Sequence, residues 1–106
     1  PVDADLVASI APDEVIVATG ATPRGDGFQV SVPATPVPGH DLPHVHDAWA
    51  LLGVGRRPDI VGPALVFDDT GTFEAISAAE LLLAAGSEVT FASRFDKPGE
   101  SLPIRP

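Results

Sequence analysis

The chain has 106 residues, a formal net charge of −9, twelve prolines, ten glycines and no cysteine. That length suits one small domain able to bury roughly 60–70% of its unfolded surface, and a hydrophobic content of 44% argues against global disorder. The negative charge disfavours nucleic-acid binding, the missing thiols exclude disulfides, thiolate nucleophiles and cysteine-held clusters, and no apolar run reaches the ~18 residues of a membrane span. With no signal peptide at its start, the expectation is a soluble, cytoplasmic chain with neither nucleic acid nor membrane as a partner.

Residues 1–13 contain a short alternating piece, "ADLVASI", closed by "APDE". In "EVIVATGA", Val15, Ile16, Val17 and Ala18 form an apolar run bounded by Thr19 and Gly20, which reads as a buried strand. "TPRGDG" comes next with turn chemistry, Pro presetting φ and Gly supplying the left-handed conformation. "FQVSV" sets Phe28, Val30 and Val32 against Gln29 and Ser31, a period-two pattern that predicts a half-exposed strand suited to antiparallel pairing. "PATPVPGHDLPHVH" is too rich in proline to be anything but loop. "DAWALL" predicts a short helix with Asp47 as its N-cap, Gly53 as its C-terminal cap and Trp49 as a packing anchor. "GVGRRPDIVG" is a connector between this helix and the strand that starts at Ala64.

The stretch "ALVFDDTGTFEAISAAELLLAAGSEVTFAS" is the most regular. Ala64–Phe67 predicts a strand, Thr72 an N-cap, and Phe73, Ile76, Ala79 or Glu80, and Leu83 step along a helix at spacings of three and four. Gly86 stops that helix, and Val89–Ala92 predicts a second strand. Two strands joined by a crossover helix are parallel and right-handed. The fold class is therefore α/β, a Rossmann-like βαβ fragment with parallel strands behind a loop-rich β front. A small parallel sheet must be buried on both faces, and the sequence opens without Met and stops soon after a strand. The expectation is a single-domain fragment, 1–106, of a larger protein, with residues 1–45 as the loop-rich part and 46–106 as the βαβ unit.

Two motifs and their order resemble a known group. An apolar strand ending in A-T-G, as in "EVIVATGATPRGDG", is followed by "PVPGHDLP", a short helix, and then a strand–turn–helix of the shape "V-x-D-D … A-E-x-L-x-x-x-G-x-E-V-T". This order over most of residues 13–93 resembles the C-terminal part of trimethylamine dehydrogenase-like flavoenzymes, which group with 2,4-dienoyl-CoA reductases and the NADH:flavin oxidoreductases of Old Yellow Enzyme type. The resemblance implies a parent with an FMN-bearing TIM barrel, a four-cysteine iron–sulfur cluster and two nucleotide-binding-like domains. Residues 1–45 would supply the A-T-G crossover strand and 46–106 the NAD(P)-domain-like unit, packed on the remaining domains of the flavoenzyme. It also implies that Thr19 and Gly20 lie near FAD or ADP, at a point where a backbone without a side chain can approach a ligand.

The turn between the regular strand and helix is the other candidate cofactor site, formed by Asp68, Asp69, Thr70, Gly71 and Thr72. A dinucleotide fingerprint needs three glycines for the bend, the approach of the pyrophosphate and close helix packing. Counting back from Gly86 puts Thr70, Thr72 and Ala75 in those places, and Ala75 is an accepted form of the last. Asp68 and Asp69 put carboxylates at a helix N-terminus, the spot that attracts an anion. At ~4 Å and an effective dielectric of ~20, each repels a phosphate charge by about 4 kcal/mol. Against this, Ser93 and Arg94 end the second strand where an NADP 2′-phosphate would sit. The residues thus leave two readings: a structural remnant without catalytic residues, or a stand-alone module binding NADP(H) or ADP. His40, His44 and His46 with Asp41 and Asp47 offer zinc- or nickel-type ligands, but the intervening prolines preclude helical alignment, and loop histidines are the alternative. Glu80 reads as helix surface.

Overall fold

A computed structural model describes residues 2–103. Its elements in chain order are α1 (Ala4–Ile10), α2 (Ala48–Leu51), β1 (Ala64–Asp68), α3 (Phe73–Ala84) and β2 (Val89–Ser93). β1 and β2 pair in parallel, with Ala64 opposite Val89 and Asp68 opposite Ser93. The fold is α/β, built on a two-stranded parallel sheet with α3 as the crossover.

The regular half forms because each local signal agrees with the next. Asp47 caps α2, its Oδ1 accepting the Ala50 N–H at 2.9 Å. Past Leu52 the chain turns through Gly53 at φ +100°. At the end of α3, Gly86 sits at φ +86°. There its N–H donates to the Leu83 carbonyl (2.9 Å) and that of Ser87 to Leu82 (3.0 Å), a pair of bonds that closes the helix with glycine in the left-handed position.

The core lies between α3 and one face of the sheet. Val66 from β1 and Ala75, Ala78, Ala79 and Leu82 from α3 are buried, joined by Leu51 from α2, with Ile60, Ala64, Val89 and Phe91 packed at the edge. The alanine face lets helix and strand approach closely. The spacing Phe73, Ile76, Ala79 or Glu80, and Leu83 meets the buried face only at Ala79, the face being turned by one residue: Phe73 and Glu80 are exposed and Leu83 is 58% exposed, whereas Leu82 is 5% exposed. On the opposite face of β1, Leu65 (67%) and Phe67 (51%) are open to solvent.

The front half corrects two expectations. Ahead of them, the alternating piece "ADLVASI" is helix α1, capped where Asp3 Oδ1 accepts the Leu6 N–H at 2.9 Å. Val15–Ala18 is extended but unpaired, with Ile16 91% exposed, because a strand exists only through a ladder and no neighbouring strand reaches it. "FQVSV" forms a bend in place of a strand: Gln29 donates its side-chain N–H to the Thr35 carbonyl (2.7 Å), and the Val30 and Ser31 amides turn to the Asp69 carboxylate. Residues 11–47 contain no helix or strand. With so much coil the radius of gyration is 18.0 Å, against about 13 Å for a compact domain of this length.

Candidate functional site

The site is the turn from Asp68 to Thr72, at the carboxyl end of the parallel strands, where α/β folds take their ligands. Strand alternation points Val66 and Asp68 to the same face, into the core side, so the carboxylate is carried inward by the strand itself. Asp68 is only 1% exposed and is the one buried charged residue among those described. Its Oδ1 accepts the Gly71 N–H at 2.8 Å and the Thr70 N–H at 3.1 Å, while Oδ2 accepts the Ser93 hydroxyl at 3.3 Å. The amides that a dinucleotide turn would offer to a phosphate are thus bound by a carboxylate of the same chain.

Gly71 supplies the bend, at φ +69°, and is itself buried. A Cβ there would stand 2.6 Å from Ser101 Oγ and 2.9 Å from Phe95 Cε2. The Gly71 carbonyl also accepts the Ser101 N–H at 3.0 Å. The tail beyond β2 therefore lies against the turn. The glycine that the geometry requires is at 71, between the two threonines that occupy fingerprint places.

Those threonines bond to each other and to the helix start. Thr70 Oγ1 and Thr72 Oγ1 are 2.8 Å apart, and the Thr72 hydroxyl donates to the Glu74 carboxylate. Thr72 does occupy the N-cap position, with extended backbone, but its side chain makes no capping bond. Ala75 is buried, as the third fingerprint place requires for close helix–strand packing.

Asp69 faces the other way. Its Oδ2 accepts the amides of Val30 and of Ser31, the latter at 3.3 Å. Arg94 donates its Nε–H to the Asp69 carbonyl at 2.9 Å, and the same nitrogen lies 3.2 Å from Oδ1. Having a single hydrogen on Nε, Arg94 gives Oδ1 charge attraction without a hydrogen bond, which accounts for that oxygen being buried and otherwise unpartnered. The guanidinium also stacks on Phe95, 4.2 Å from the ring centre. Arg94, placed by sequence where a 2′-phosphate would bind, is held from three sides by its own chain.

Asp68, Asp69, Thr70, Gly71, Thr72 and Arg94 therefore come together in one cluster. Thr19 and Gly20 are not part of it. They lie on an exposed segment, residues 12–23, that enters no backbone–backbone hydrogen bond among the described residues. Gly20 has φ +79° and nothing within 4 Å of where a Cβ would stand. Among the loop histidines, the His40 ring packs on Gly27 and its Nδ1 is buried without a hydrogen bond; no three metal-ligating side chains converge among the described residues. Sequence reasoning missed Phe95 and Ser101 as the cover of the turn, and Val30 and Ser31 as partners of Asp69. The only signal for the first was Gly71 itself.

Two shallow concavities lie elsewhere. One, of ≈ 310 Å³, is lined by Leu51, Ile60, Leu81 and Leu82 at the C-terminal half of α3, and the other runs along the tail from Asp96 to Pro103. No helix among the described residues is long and apolar enough to cross a membrane.

No family model matches the chain, and no solved structure matches it. Two curated proteins do. The chain is 32% identical over 87 residues to a probable N-methylproline demethylase of Rhizobium meliloti (strain 1021), a match covering 82% of this chain and 11% of that protein. It is 32% identical over 110 residues to a bilirubin reductase of Mediterraneibacter gnavus (strain CC55_001C), covering 98% of this chain and 14% of that protein. The chain thus spans only 11% and 14% of the length of these relatives, and the similarity is to a small part of each.

Proposed function

We propose that this chain is the nucleotide-binding-like part of a flavin-dependent oxidoreductase, of amine dehydrogenase or NADH:flavin oxidoreductase type, and that its own role is structural. The observation that carries the second half of this reading is Asp68. A buried carboxylate takes the two turn amides at 2.8 and 3.1 Å, so a phosphate would have to displace it and then meet its charge. Phe95 and Ser101 packed on Gly71 add a steric barrier to close approach at the turn.

The similarity to a demethylase and a reductase supports the oxidoreductase half, since both names describe redox conversions and a flavin is a carrier suited to each. In this reading the chain divides into residues 1–45 and 46–106, a division supported by a core drawn wholly from Leu51 onward. The remaining domains of the flavoenzyme are its partners, covering the open Leu65 and Phe67 face and the exposed Val15–Val17 run. FMN and an iron–sulfur cluster belong to those other domains. Thr19 and Gly20 approach FAD or ADP there, supported by the open space around the Gly20 Cα.

Isothermal calorimetry of the chain with NADPH, NADH and ADP tests the structural role. The expected result is no binding at micromolar concentration. Micromolar binding of any of the three would overturn it and favour a Rossmann-like module for NADP(H) or ADP.

A further inference from the structure

The front of the chain is attached to the βαβ unit in an economical way. Among the described residues, the only hydrogen bonds that join residues 12–46 to the rest are those from the Val30 and Ser31 amides to Asp69 Oδ2. The segment making this contact is internally tied. Val37 N–H donates to the Gly27 carbonyl at 2.8 Å, Gln29 to Thr35 at 2.7 Å and His40 N–H to Val37 at 3.2 Å, with the His40 ring seated on Gly27. Residues 27–40 are thus a loop closed on itself by its own hydrogen bonds.

We propose that residues 27–40 are a strap, latched across the carboxyl end of β1 by the single carboxylate of Asp69. Asp69 is suited to this because its partner cation lies behind it. Arg94 bonds to the Asp69 backbone and faces Oδ1 at 3.2 Å, which leaves Oδ2 directed at the strap. A carboxylate accepts two amides more strongly than a neutral oxygen does, so the latch depends on the charge of Asp69 and on Arg94 holding it in place. The strap lies over the end of the sheet at which α/β folds admit ligands, and its closure adds a removable cover to a turn already filled from within by Asp68. The latch operates whether or not any nucleotide binds.

Residue-resolved amide hydrogen exchange on the whole chain tests it. In Asp69→Ala the Val30 and Ser31 amides should exchange about tenfold faster or more, as for a locally released loop, with Ala79 and Leu82 in α3 unchanged. Arg94→Gln should accelerate the same two amides to a smaller degree, because Oδ2 remains but is less firmly aimed. Unaltered exchange at Val30 and Ser31 in Asp69→Ala would refute the latch. An equal acceleration in α3 would refute the strap as a separate unit, since front and back would then open together.

Discussion

Replacing Asp68 separates its two contributions, shape and charge. In Asp68→Ala the Gly71 and Thr70 amides lose their acceptor at a position only 1% exposed. The buried Gly71 amide left without a partner costs about 1–3 kcal/mol and the part-buried Thr70 amide less, so the variant should lose roughly 1–4 kcal/mol, a sizeable share of the ~5–15 kcal/mol that holds a domain together. Asp68→Asn keeps an acceptor oxygen for the same two amides, and its new NH₂ can donate to the Ser93 hydroxyl, 3.3 Å from Oδ2. It trades charged for neutral hydrogen bonds but also relieves a buried charge that has no cation in contact among the described residues. The net cost should stay within about 1 kcal/mol.

Urea unfolding monitored by circular dichroism reads the difference. With a slope of about 1–3 kcal/mol per molar urea, Asp68→Ala should move the midpoint down by roughly a molar unit or more, and Asp68→Asn by a fraction of that. Equal shifts for the two variants would refute the argument, because shape would then count for nothing beside charge. A neutral Asp68→Ala would refute it more directly, showing that the turn amides find other partners.

Packing and surface charge give two more expected outcomes. Leu82→Ala should destabilise the chain by about 2–5 kcal/mol, as deletion from a core does, while Leu83→Ala stays within about 0.5 kcal/mol; the same urea titration checks it, and a reversed order would restore the Phe73–Ile76–Leu83 face. The Arg24 side-chain hydrogen bond, and then the Phe28 amide, hold the Asp26 carboxyl below its ordinary value. Because the folded value is depressed, the associated stability is complete above the ordinary carboxylate range and is lost as pH falls through the folded value. A carboxyl chemical-shift titration should therefore give a higher midpoint for Asp26 in Arg24→Gln than in the unsubstituted chain.

What was legible in the sequence is what is decided locally. The β1–α3–β2 unit, the Asp47 cap and the Gly86 stop each rest on residues within a few positions of one another, and all three stand. The α3 face was displaced by one residue because bulky Phe73, Ile76 and Leu83 outweigh alanines in any reading of hydrophobicity, whereas packing against a strand favours the small face. The unformed strands at Val15–Ala18 and Phe28–Val32 have the right side chains, but a ladder is a relation to another segment, and none is supplied. Asp69 shows the same limit within the site. Its strap partners lie 38 and 39 residues away, and no local pattern links a carboxylate after a strand to two amides in a proline-rich loop.

The two adjacent aspartates thus do different work from one turn. From sequence both are charges that repel a phosphate ahead of a helix N-terminus. In the fold Asp68 does more than repel: it takes the hydrogen bonds a phosphate would take, so the turn keeps its geometry with no ligand bound. Asp69, at the next position, turns the same negative charge to holding the front loop. One carboxylate is thus an internal filler and its neighbour a latch. The persistence of a dinucleotide-like strand–turn–helix is then accounted for by its own side chains, with Gly71 retained for the bend and Ala75 for the packing of α3 on β1.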